Sequence, residues 1–152
     1  MSTTTTKSIQ EIVNPVIETC RDGEAGFNAA AEAVSDESLK TEFFQYSRVR
    51  AGFAAALVSS LQRIGQSSST NGSLAGAVHR GWIKLTMLKP GDNEHAVLAA
   101  CESGEDSAIQ AYTQAMRSPL PGVIAELVSN QFKIIKATHD RIRALRDAVQ
   151  QK

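Results

Sequence analysis

The sequence is poor in cysteine, tryptophan and net charge. It holds two cysteines and one tryptophan in 152 residues, and aromatic side chains make up only 5% of it. Two cysteines, both inside helical patterns, argue against a disulfide-stapled secreted fold. Sixteen basic and sixteen acidic side chains cancel, so no overall field recruits nucleic acid or an anionic membrane. No apolar run approaches the roughly 20 residues of a transmembrane helix, and no apolar segment of the signal-peptide kind follows the N-terminal "MSTTTTK". A soluble, cytoplasmic protein without nucleic-acid or membrane partners is the expectation. Sustained alternation of apolar and polar residues, the mark of a half-buried strand, is missing as well.

What the chain has instead is four long blocks with apolar residues at helical spacing, which predicts an all-α fold. The first follows Ser8 and carries Ile9, Val13, Val16, Cys20, Phe27, Ala31 and Val34. Pro15 should either kink it early or mark a true start after Asn14. The second follows the capping signal "SDES" and runs through Leu39, Phe43, Tyr46, Arg50, Phe53, Leu57 and Leu61 to a stop at Gly65. The third begins after "PGDN", with Asp92 as the expected cap, and ends at "SPLPG"; the fourth carries Ile124, Leu127, Gln131, Ile134, Thr138, Ile142 and Leu145. Each block is about 26 to 29 residues, or roughly 40 Å of helix. Short joints make antiparallel hairpins of the first and second pairs. The expected plan is a single domain: a flexible tail at 1–7, hairpins at 8–64 and 92–150, and a crossover at 65–91 with a short helix at 74–88.

Within this plan a motif occurs twice. Cys-x-x-Gly-Glu stands at Cys20 to Glu24 and at Cys101 to Glu105. The same shift of 81 residues, with no gap, brings Phe43 onto Ile124, Tyr46 onto Leu127, Arg50 onto Gln131 and Phe53 onto Ile134. An internal duplication is the economical explanation. Glycine inside a helix costs about 1 kcal/mol relative to alanine, so a repeated one suggests close approach of a bulky side chain. Tyr46 and Tyr112 are the candidates.

Two similar hairpins joined by a long crossover resemble the ferritin-like four-helix bundle. More narrowly, "ETCRDGEAGF", "AVHRGW", "CESGEDSAIQAY" and "THDRIRALRDA" resemble a bacterial family of ferritin-like four-helix proteins catalogued as a domain of unknown function. That resemblance implies a fold and little chemistry.

Ferritin-like iron enzymes take one Glu from each of two helices and a Glu-x-x-His from each of the other two. Glu24 and Glu105 are the natural counterparts of the lone glutamates, but no Glu here is followed three residues later by His. The second helix offers Tyr46, Arg50 and Phe53 in its core stripe, and the fourth offers Leu127, Gln131 and Ile134. A permanent cation in that layer opposes further cations. The expectation is therefore a buried polar layer of Glu24, Arg50, Glu105, Gln131 and Tyr46, with Arg50 neutralising Glu24 and Gln131 bonding Glu105. No catalytic residue and no cofactor are expected. The alternatives are an iron- or manganese-binding protein or oxidoreductase using Glu24, Glu105 and Glu102, and a small-ligand carrier using the layer as a pocket.

Cys20 and Cys101 read as small core hydrophobes rather than thiolate ligands. His79, His95 and His139 read as lone surface or capping residues. Trp82, on the crossover, either plugs one edge of the bundle or anchors a second copy, and a homodimer through its region is the expected association.

Overall fold

The computed structural model describes residues 8–67 and 81–150. Four helices form it: α1 (Ile9–Ala33), α2 (Glu37–Arg63), α3 (Glu94–Met116) and α4 (Gly122–Gln150). They are 25, 27, 23 and 29 residues long, and no strand occurs among the described residues.

Local chemistry accounts for the boundaries. Ser8 caps α1 in a reciprocal box with Glu11, each side chain bonding the other residue's backbone N–H. Asp36 caps α2 through the N–H of Leu39 at 2.8 Å. Asn93, not Asp92, caps α3 by accepting from the N–H of Ala96. Asp92 instead accepts from the N–H of Lys89 within the preceding turn. Helix α1 passes through Pro15 without a break, so the reading of a true start after Asn14 does not hold. Gly65 ends α2 with φ +77°, and the N–H of Gln66 folds back to the carbonyl of Leu61 at 2.9 Å.

Helices α1 and α2 pair as one hairpin and α3 and α4 as the other, and α1 packs against α3. Among the four long helices, α2 and α4 make the thinnest contact of any neighbouring pair. The end of the crossover is tied to α1, the N–H of Gly91 donating to the carbonyl of Ala33 at 3.0 Å. The start of α3 thus lies at the end of α1, and the two run antiparallel. Of the crossover helix expected at 74–88, residues 74–80 lie outside the described residues, as do His79 and the tail at 1–7. The described part is two helical residues, 81–82, followed by a 3-10 helix, Ile83–Met87, laid over α1 and α3. One core of Val, Ile, Leu, Phe and Ala side chains runs between the helices and takes in Trp82 and Leu85 of the crossover. Among the described residues no helix is long and apolar enough to cross a membrane.

Candidate functional site: a buried charged layer

The inward stripe of α2 is Phe43, Ser47, Arg50, Ala54, Leu57 and Leu61, and the arginine in it points into the core. Arg50 and Glu105 are 1% and 0% exposed. Arg50 Nη1 donates to Glu105 Oε1 at 2.5 Å, and Nη2 donates to Oε2, the two-pronged geometry in which a guanidinium fits a carboxylate. Burial pulls the Arg50 pKa down, but the Glu105 charge and its hydrogen bonds more than offset this, and the net shift is upward. The guanidinium also lies 5.3 Å from the centre of the Phe27 ring.

Glu24, expected as the partner of Arg50, faces solvent. Its contribution to packing is its backbone carbonyl, which accepts from Ser47 Oγ at 2.8 Å. The cause lies in the repeat. Arg50 of the first hairpin reaches Glu105 of the second, and its counterpart in the second hairpin is the neutral Gln131. An amide cannot neutralise a buried carboxylate, so Glu24 keeps its water.

Gln131 is buried as expected, but it does not bond Glu105. Its Oε1 accepts from the Tyr112 hydroxyl at 2.6 Å, and its Nε2 donates to the carbonyl of Phe53 at 3.3 Å. The Tyr112 proton being spent on Gln131, the 3.0 Å contact between Tyr112 Oη and Cys20 Sγ is made with the thiol as donor. Burial pushes the Cys20 pKa up to about 11. Cys101 is also raised well above its ordinary value, by burial and then by the Glu105 charge. Tyr112 is raised as well, by burial and by its cysteine neighbour. Both thiols are protonated at neutral pH and are poor nucleophiles. The duplication places Ala31 where the first helix would need a second Tyr112, so this chain of bonds has no mirror image at Cys101.

Tyr46 stands outside the layer. It is half-buried and donates to Glu42, whose carboxylate also accepts from Arg141 Nε at 3.1 Å and Nη2 at 3.2 Å. Burial alone would raise Glu42, but the Arg141 and Tyr46 hydrogen bonds hold it below its usual range. Glu102 is buried separately, bonded to Arg146 and 3.8 Å from both His139 Nε2 and Arg143 Nε. His139 is no lone surface histidine. It is buried between α3 and α4, with Nε2 2.9 Å from Asp106 and Nδ1 3.1 Å from Asp140.

The repeated glycines are explained by Trp82 and Arg50 rather than by Tyr46 or Tyr112. A Cβ on Gly104 would stand 2.2 Å from the Trp82 ring, and one on Gly26 would stand 2.9 Å from it. A Cβ on Gly23 would meet Arg50 Nη1 at 3.2 Å and the Trp82 ring at 3.4 Å. The indole fills this recess, donates to Thr19 Oγ1 at 3.0 Å and is 2% exposed. Trp82 therefore plugs its own bundle and is not available as an anchor for a second copy.

The model of a family described as a domain of unknown function (DUF2383) matches residues 8–118. The chain belongs to that family. The match takes in α1, α2, the crossover and α3, and so both halves of the Arg50–Glu105 pair. No curated protein matches the chain.

The two-metal site implied by the ferritin-like resemblance does not fit these residues. Glu105 gives both oxygens to Arg50, Glu24 points outward, and Glu102 faces Arg146 and His139. Among the described residues no group of three or more His, Cys, Asp and Glu side chains could hold a metal ion.

Proposed function

We propose that the protein is a non-enzymatic, cytoplasmic, ferritin-like helical bundle of bacterial type, in which a buried polar layer has replaced the two-metal carboxylate site. It works through its surface and its association rather than through a reaction in its core. One observation carries this reading: the bidentate bond between Arg50 and Glu105, both inaccessible to solvent. A permanent cation on the very carboxylate that would bridge metals repels them and occupies the ligand's lone pairs. The protonated thiols and the fully bonded Tyr112 leave no nucleophile or base beside it. The same saturation disfavours a small-ligand carrier using this layer, since a ligand would have to displace one partner of a buried ion pair.

Thermal unfolding with and without added metal tests the reading. A cation bound only by the native state raises the unfolding temperature by mass action. Fe(II) under anaerobic conditions, or Mn(II), should leave the transition unchanged. A saturable rise that disappears in Glu105→Gln would overturn the proposal in favour of a metal-binding protein.

A further inference from the structure

The large exposed apolar side chains of α2 and α4, Val49, Val123 and Ile134, share one face. On α2, Val49, Phe53, Ala56, Ser60 and Arg63 recur every three or four residues, beside the core stripe. On α4 the matching row is Val123, Leu127, Asn130, Ile134 and Arg141. Val123 is 72% exposed, Ile134 48% and Val49 40%. Where the rows meet, the thin contact between α2 and α4 leaves an open groove of about 410 Å³. The opposite groove, between α1 and α3, is sealed by Trp82 and Leu85.

We infer that the α2–α4 face is the contact of a twofold homodimer. Charge selects a second copy as the occupant. Arg63 on α2 and Glu126 on α4 line the same end of the groove, and neither has an ion-pair partner among the described residues. A twofold axis parallel to the bundle sets each α2 opposite the other copy's α4 at the same height. Arg63 then meets Glu126 of the partner subunit, and the reciprocal pair forms by symmetry. At the far end Glu42 and Arg141 already pair within each chain, so Arg63 and Glu126 are the charges that set the orientation. An axis perpendicular to the helices would instead bring Arg63 to a Glu42 already bonded by Arg141. Such pairs set orientation and partner choice more than affinity; the affinity comes from the apolar rows between them.

The area suffices. Helix α2 has 27 residues, so two helices side by side present roughly 40 Å by 20 Å, about 800 Å² per chain, the size of a standard stable interface. With sixteen charges of each sign, no net repulsion opposes self-association. The inference is independent of whether the core holds metal, because it is read by mass alone.

Light scattering and sedimentation of the full chain at micromolar concentration test it. The expected mass is twice the 16.3 kDa chain. Ile134→Asp and Val123→Asp, at exposed positions that leave the helices intact by circular dichroism, should each weaken the dimer by about tenfold or more. Arg63→Glu should weaken it, and adding Glu126→Arg should restore it, a rescue that only facing charges produce. Met87→Asp, on the exposed crossover, should change nothing. A single-chain mass at every concentration overturns the inference. So does a dimer indifferent to Ile134→Asp, Val123→Asp and Arg63→Glu, or one broken by Met87→Asp instead.

Discussion

Arg50 of the first hairpin holds both carboxylate oxygens of Glu105 in the second, with each side chain out of contact with water. Removing either partner strands a buried charge, at a cost of about 3 to 5 kcal/mol. Arg50→Ala and Glu105→Ala should each lose that much in urea unfolding. The double change Arg50→Met with Glu105→Leu should recover most of it, because an apolar pair of similar volume leaves no charge behind. Equal losses that simply add would show that the two side chains are not coupled.

Gly104 makes room for the Trp82 ring. Gly104→Ala should destabilise by about 1 to 3 kcal/mol through overpacking and move Trp82 fluorescence toward the red as the indole shifts. At an open helical position the same change would stabilise by about 1 kcal/mol. The sign of the effect therefore decides whether the recess is filled as described.

The Cys20 thiol has its pKa raised by burial from 9.0 to about 11. The folded state holds this proton more tightly than the unfolded state. The associated stability is full below pH 9 and is lost as pH rises toward 11, by an amount of order 2 kcal/mol. The stability advantage of the wild type over Cys20→Ala should therefore narrow across that window. A gap constant from pH 8 to 10.5 would mean that the thiol is not buried as described. At pH 8 a thiol reagent should label neither cysteine until the chain unfolds.

The four helices were legible because their apolar residues recur at one helical period, and because Ser8, Asp36 and Gly65 punctuate them with recognisable chemistry. Arg50 was legible as an inward side chain for the same reason: it continues a stripe made by Phe43 and Leu57. Its partner was not. The 81-residue repeat makes Glu24 and Glu105 look equivalent, and only the difference between Arg50 and Gln131 separates them. A repeat transmits backbone geometry, whereas burial of a carboxylate depends on a cation supplied by the other hairpin. The resemblance between Glu24 and Glu105 thus concealed an electrostatic asymmetry that was already written at positions 50 and 131. Tyr112 belongs to the layer because a tyrosine on a core stripe needs a partner for its hydroxyl, and Gln131 supplies it. Trp82 could not be placed from periodicity because it belongs to no long helix; the two glycines it covers were the available signal. His139 looked solitary because its companions Asp106 and Glu102 lie on another helix, more than thirty residues away.

The Arg50–Glu105 pair occupies both oxygens of the carboxylate that a two-metal site would need, and metal content tests the proposal that the chain holds no metals. Protein expressed with added iron and manganese, purified without chelator, then loaded anaerobically with Fe(II) and desalted, should carry far less than one ion per chain by elemental analysis, and Glu105→Gln should carry the same. One or two ions per chain in the wild type, lost in Glu105→Gln, would contradict the account.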